Sequence, residues 1–413
     1  ERDEGVHQIR CREKVPNGVA GLCLEPAPCG PKKSPAGGTL RHHGRVFPAG
    51  DPRYPAPRAP PVNGLSPIDR ARALGVSRES VEIYQDSDVL DLHLDSFIWT
   101  RIFGYDLRRR HGLGPTRGHF LSQVDFPRVL EGGLTGATWV ITTNPLRRRA
   151  HRPDVFMENL RRLQGILESR PRQFRVVRNV AEYREARAAG LHGAFLGIQG
   201  GNALDRDPDS LDAIPDDLVL RVTLVHLSNS SLGATSAPSW GQQPKGLTPL
   251  GVEMVEQLNA RKIFVDLAHI HRQGFFDAVA AHDASQPLLV THTGVSGVHR
   301  HWRNLDDDQL RAIADSGGTV GVMYQSSFLG DPWWRGRAES VVRHLAHIVD
   351  TVGEDHASLG SDWDGAISPP TDLKTPIELP RVVDLMLQRG WQADRIRKIL
   401  GGNFLRVVEA LRG

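Results

Sequence analysis

Cysteine is almost missing from this chain. Three occur in 413 residues, and Cys11, Cys23 and Cys29 all fall at the N-terminal end. Their spacing matches no compact zinc site, and the remainder of the chain must fold without disulfides. Long hydrophobic runs are missing too: none reaches the ~18 residues that a bilayer-spanning helix requires. No charged-then-apolar signal segment opens the sequence. Because it begins at Glu1 rather than Met, a removed leader and the compartment both stay open. Charge of one sign is not in excess either, with 51 basic against 48 acidic residues and a net +3. That balance gives no electrostatic case for a nucleic-acid partner. Two Arg-Arg-Arg runs, at 108–110 and 147–149, are not interleaved with aromatics and read as solvated loop faces. What is present is ordinary globular material, 39% hydrophobic and 24% charged, enough for a sizeable core.

Residues 1–64 are rich in Pro, Gly, Arg and Lys, as in "PCGPKKSPAGG" and "DPRYPAPRAPPVNG". Without apolar periodicity such a segment is expected to be disordered. The texture changes at Ser66, a plausible N-cap before Pro67, with Ile68, Ala71 and Leu74 on one helical face. Residues 65–413 are therefore assigned to one domain. Apolar runs at 89–95, 134–143, 193–200, 220–227, 262–269, 287–293, 318–325 and 357–364 alternate there with amphipathic helices. Thr248 and Pro249 open one helix with a stripe of Leu250, Met254, Val255 and Leu258. Asp306 opens another that carries Leu310, Ile313 and Ala314 and stops at Gly317 and Gly318. Near-continuous apolar strands alternating with helices imply a parallel sheet covered on its outside, here an α/β fold of the (β/α)8 TIM-barrel type. A doubly wound sheet is the weaker reading, because "DSFIWTRIFG" follows the first strand in place of a Gly-rich phosphate turn.

The strand "VLDLHLDSF" places His93 and Asp95 on one face of a core element. Leaving a polar group unsatisfied there costs roughly 2–7 kcal/mol. Gln199, His226, His269, His292, Asp362 and Asp364 likewise form the C-terminal ends of strands, where a barrel carries its active site. Neutral imidazoles and carboxylates are zinc ligands, so a metal would satisfy them.

Over residues 66 to 411 the chain resembles the membrane (renal-type) dipeptidases, peptidase family M19. The stretches that carry the resemblance are "DLHLD", "QVDFPRVLEGGLTGATW", "VTLVHLSNS", "GLTPLGVEMVEQLNARKIFVDLAH", "VTHTGV" followed by "WRNLDDDQL", "GSDWDG" and "GGNFLRVVEAL". The resemblance implies a zinc-dependent metallodipeptidase that cleaves small dipeptides with a metal-activated water. It implies that His93 and Asp95 bind one zinc and that His269 and His292 bind a second. Asp362 would orient or deprotonate the attacking water, His226 would stabilise the oxyanion, and Arg303 would clamp the substrate carboxylate. The family's bridging glutamate is replaced by Gln199 in "GIQGG", which removes one negative charge and implies one or two Zn²⁺ with a weakened second site. Two alternatives stay open: a mononuclear amidohydrolase for another small amide, lactam or ester, and a catalytically silent peptide-binding relative. The expected partner is a small peptide, with no nucleic acid and no transmembrane segment; a homodimer is left open.

Overall fold

The computed structural model describes residues 65–144, 147–204, 208–215, 217–238 and 246–413. The expected disorder of residues 1–64 lies outside these residues. Among the described residues nine strands form one parallel sheet: β1 Leu90–Leu94, β2 Gly136–Thr142, β3 Phe174–Val176, β4 His192–Gln199, β5 Val219–Thr223, β6 Phe264–Asp266, β7 Leu289–Thr293, β8 Thr319–Val322 and β9 Ala357–Leu359. Eight of them follow the order β1-β2-β4-β5-β6-β7-β8-β9. A parallel bridge from Leu94 to Trp363, just past β9, joins the two ends. Asp95 N donates to Trp363 O and Asp362 N to His93 O, both at 3.1 Å, so the ring closes as a (β/α)8 barrel. The extra strand β3 pairs with the first half of β4, whereas β5 pairs with its second half.

Local signals place the helices as expected. Ser66 Oγ accepts from Asp69 N ahead of the helix Pro67–Leu74, and Thr248 caps Pro249–Ala260. Asp306 and Gln309 form a reciprocal capping box on Asp307–Asp315. The basic run at 108–110 is partly structural, because Arg110 pairs with Glu131 and Arg108 with Asp106.

The core has two parts. One lies between the strands and the outer helices. The other fills the floor of the barrel, where Leu90, Leu92, Phe195, Leu220, Phe264 and Leu289 meet Phe404 and Val407 of the C-terminal helix Asn403–Arg412. Each fully buried large side chain there contributes about 1.5–3 kcal/mol. Three register shifts, between Asp91 and Leu94, Leu196 and Gly197, and Val290 and Thr293, interrupt the ladders above this floor. A bulge re-aims the side chains that follow it. Leu92 and Leu220 therefore belong to the floor while their neighbours His93 and Arg221 belong to the polar layer above. Close strand approach depends on glycine: a Cβ at Gly360 would lie 1.8 Å from Thr291 O, and one at Gly321 would lie 2.1 Å from the same atom.

His192, buried at the start of β4, has Nδ1 2.8 Å from Leu134 O and Nε2 3.2 Å from Trp139 Nε1. The carbonyl can only accept and the indole can only donate, so the ring is neutral with its proton on Nδ1. Burial pushes its pKa down to about 4, against a smaller opposing effect of the Leu134 carbonyl. A histidine depressed in the folded state adds stability that is complete above the unfolded pKa and is lost as pH falls from about 6.5 to about 4. His192→Gln keeps a donor and an acceptor but does not titrate. Its stability relative to wild type should improve by on the order of 3 kcal/mol between pH 7 and pH 4. Parallel denaturant curves for the two proteins across that range would refute the neutral-ring assignment.

Candidate metal centre and active site

The polar layer is built where the strands stop. The hydrogen-bonded part of β5 ends at Thr223 and that of β6 at Asp266, so His226 and His269 stand on the loops beyond, and Asp362 follows β9 in the same way. His269 and Asp362 have φ of 66° and 61°, the left-handed region that is strained for non-glycine residues. The loop after β5 holds His269 in place: its carbonyl accepts from Ser236 N at 2.7 Å and from Thr235 Oγ1 at 3.2 Å.

These loops bring most of the expected residues together. His93, His292 and Asp362 offer ligand atoms within 4.8 Å of one another, and His93 Nε2 lies 3.6 Å from Asp362 Oδ1. His269 Nε2 is 2.8 Å from His292 Nε2, and Gln199 Nε2 is 3.2 and 3.4 Å from those two nitrogens. The His226 ring stands edge-on to His269 at 4.6 Å. Arg303 is buried, with Nη2 donating to His292 O at 2.6 Å and Nε without a protein partner among the described residues. Asp95 stands slightly apart, accepting from Thr142 Oγ1. Asp364 does not join the mouth. Its carboxylate accepts from Gln123 N at 2.8 Å and Val124 N at 3.2 Å and anchors the loop after β1.

Proton counting tests how well these groups suit a metal. Thr291 Oγ1 donates to Asp266 Oδ2 at 2.7 Å, so it must accept from His292 Nδ1 at 2.9 Å. That fixes the His292 proton on Nδ1 and turns the Nε2 lone pair into the mouth, the arrangement expected of a ligating histidine. Thr142 Oγ1 has one proton but contacts both Asp95 Oδ1 and, at 2.9 Å, the Gln199 amide. If that proton goes to Asp95, Thr142 accepts from the Gln199 NH2, and Gln199 Oε1 turns towards His269 and His292. His93 behaves oppositely. Arg221 Nη2 lies 2.8 Å from its Nδ1 and can only donate, so in the neutral ring the proton sits on Nε2, facing Asp362. Since His292 Nε2 accepts, His269 Nε2 donates to it at 2.8 Å and one proton lies between the two nitrogens, a place that a cation would take with both lone pairs, whereas at His93 Arg221 opposes one.

Arg221 and Asp266 are the functional residues that sequence reasoning missed. Arg221 is fully buried and donates from Nη1 to Asp266 Oδ2 at 3.0 Å. Asp266 also accepts from Thr223 Oγ1 at 2.6 Å and Thr291 N at 3.0 Å. Gly197 makes the room, since a Cβ there would lie 3.0 Å from Arg221 Nε. The signal was available: an Arg in "LRVTLVHL" and an Asp in "KIFVDLAH", each inside an apolar strand, must be paired when buried.

Electrostatics follow burial. Desolvation and nearby cations hold His93, His269 and His292 well below the usual imidazole range, so all three are neutral near pH 7. Desolvation and Arg303 push His226 to about 3. Burial raises Asp95 to about 7 against the Thr142 hydrogen bond. Burial and the Asp95 charge hold Asp362 well above the carboxylate range, with Arg303 opposing. Groups this far displaced, gathered in one mouth, mark a reactive centre.

A closed parallel barrel with buried imidazoles and carboxyls at its C-terminal mouth defines a metal-dependent hydrolase. Residues 77–412 match the profile of the membrane dipeptidases, peptidase family M19, and the chain belongs to that family. An uncharacterised Klebsiella pneumoniae protein from the pqqA 5′ region is 31% identical over 265 residues, 62% of this chain and 96% of its own length. Dipeptidase tcpJ of Claviceps purpurea is 27% identical over 313 residues, 74% of this chain and 72% of its own. A Rhodobacter sphaeroides metallopeptidase, crystallised with a phosphinate mimic of the dipeptide L-Ala-D-Ala, superposes with a TM-score of 0.70 at 27% identity, covering 79% of this chain and 100% of that one. The activity of the family is metal-dependent dipeptide hydrolysis, with a divalent metal that is typically zinc. No helix among the described residues is long and apolar enough to cross a membrane.

Proposed function

We propose that this chain hydrolyses dipeptides with one tightly held divalent metal, bound by His269, His292 and the Gln199 carbonyl oxygen, while His93 and Asp95 form a weaker second position. The observation that carries this reading is the Asp266–Thr291–His292 relay, which presents one lone pair to the mouth, beside the Arg221–His93 contact, which withholds another. Zinc bound there would polarise the scissile carbonyl and lower the pKa of water to near 7.

The remaining chemistry falls to side chains. Asp362 takes the proton of the attacking water, a task suited to a carboxyl whose proton affinity burial has raised above the usual carboxylate range. Neutral His226 donates a hydrogen bond to the developing oxyanion, and the buried Arg303 guanidinium binds the free carboxylate of the dipeptide. Protein purified without chelator should contain metal and cleave a mixed dipeptide panel, and chelation should stop cleavage until zinc is restored. A metal-loaded protein that cleaves no dipeptide would overturn the proposal. Arg303→Lys should raise KM about 10- to 100-fold for free dipeptides, the worth of a charged hydrogen bond. It should change C-terminally amidated substrates little, because the planar fork serves only the carboxylate. Equal losses on both would exclude the clamp.

A further inference from the structure

Asp364 stays out of the mouth although it follows Asp362 by two residues, and it is fully buried. It is one half of a reciprocal clamp between the segment 118–124, in the loop after β1, and the segment 362–368, after β9. Its two carboxylate oxygens accept from Gln123 N and Val124 N, and Gln123 Oε1 accepts from Asp364 N at 2.6 Å. Gln123 is fully buried too, and its Nε2 donates to Gly118 O at 2.9 Å and to Ile367 O at 3.3 Å. Phe120 N donates to Ile367 O at 2.6 Å, and Trp99 Nε1 donates to Asp364 O at 2.6 Å.

Both segments are strained where the clamp holds them. Phe120 and Ser122 have φ of 68° and 67°, and Asp362, Asp364 and Ala366 have φ of 61°, 65° and 61°. A left-handed non-glycine backbone persists only where its surroundings over-determine it. Here it recurs at every second residue, and Asp364 and Gln123 tie the two segments together at that point. The Asp362 carboxylate rests on the same turn. Asp362 O accepts from Gly365 N at 3.0 Å, and a Cβ at Gly365 would lie 2.2 Å from Asp362 Oδ1. The aim of that carboxylate therefore depends on the turn keeping its shape.

We propose that Asp364 and Gln123 are positioning residues for dipeptide hydrolysis: their clamp holds the left-handed turn from which Asp362 presents its carboxylate to the attacking water. The proposal rests on the dipeptidase reading with Asp362 as base, and adds the residues that set the base in place. Two adjacent N–H groups converge on the Asp364 carboxylate, which has an acceptor oxygen for each. An amide has one, and turns its NH2 on the other donor.

Asp364→Asn keeps the volume and loses one of these bonds. In the metal-loaded full chain it should lower kcat for a cleaved dipeptide by about 10- to 100-fold and leave KM and metal content close to wild type, since a misplacement of about 1 Å can cost a hundredfold. Gln123→Met removes the other half of the clamp and should do the same; it takes the place of Asp364→Asn if that variant does not fold. In an Asp362→Asn background, where no base is left to aim, either substitution should lower the residual rate by less than about twofold. A merely structural role would lower both backgrounds alike, so equal losses in the two would overturn the proposal, as would a wild-type kcat in both clamp variants. If the wild type cleaves no dipeptide, the functional reading fails. The clamp is then judged by crystal structures of the wild type and Asp364→Asn, where an Asp362 carboxylate displaced by about 1 Å supports it and an unmoved one overturns it.

Discussion

His292→Ala is expected to remove the bound metal and lower dipeptide hydrolysis by about a thousandfold or more. Among the site histidines, only His292 has its proton fixed on the outer nitrogen by a relay, in which Thr291 Oγ1 donates to Asp266 and accepts from Nδ1. Alanine removes that lone pair and leaves His269, at 2.8 Å, without its neighbouring donor atom. A factor of a thousand corresponds to about 4 kcal/mol of barrier, within what Lewis-acid activation supplies. Thr291→Val leaves the imidazole but frees its tautomer, so metal affinity should fall by about 10- to 100-fold, the usual cost of losing an outer-shell partner. Metal content after dialysis and competition with a chromophoric chelator measure both effects. Full occupancy in His292→Ala would show that the residue is not a ligand.

The barrel was legible because its signal repeats. Apolar runs alternate with helices, β4 excepted, which among the described residues only short 3-10 turns separate from β5, and one helical signal after another, Ser66, Thr248 and Asp306 among them, forms the cap that its residue type favours. β3 escaped because it has three residues and an exposed Arg175 at its centre, too little for a period to be read. Strand ends were read too long for a related reason. His226, His269 and Asp362 continue apolar runs in sequence, but the ladders stop before them and the backbone turns left-handed at two of the three. Sequence read His93 and Asp95 as sharing a face from two-residue alternation; in the structure a bulge sets the aim of His93, and His292 and Asp362 also offer ligand atoms beside it. Proton positions were not legible at all. They depend on which hydroxyl faces which ring, a fact of three dimensions.

Gln199→Glu is expected to convert a protein that retains close to one ion into one that retains two. Residue 199 ends β4 with its amide beside His269, His292 and Thr142. As an amide it offers a metal one neutral oxygen; as a carboxylate it would offer two anionic ones at nearly the same volume. Two dications a few Å apart repel by on the order of 10 kcal/mol even at an effective dielectric near 20, so an intervening anion should strengthen the weaker site at least tenfold. Arg221 adds a fixed positive charge on the far side of His93 and keeps the ring proton on Nε2. The second ion must displace that proton. Adding Arg221→Gln to Gln199→Glu places a carbonyl where it can accept from Nδ1 and leaves Nε2 free, so the double variant should bind the second ion more tightly than Gln199→Glu alone. Asp266 keeps Thr223 and Thr291 as donors in that variant, but loses its buried cation, and unfolding should become easier by about 3–5 kcal/mol. Ion counts per chain after dialysis, read beside the unfolding midpoint, separate the two effects. A wild type that already retains two ions, or a Gln199→Glu protein that gains none, would show that the amide is not standing where a bridging carboxylate belongs.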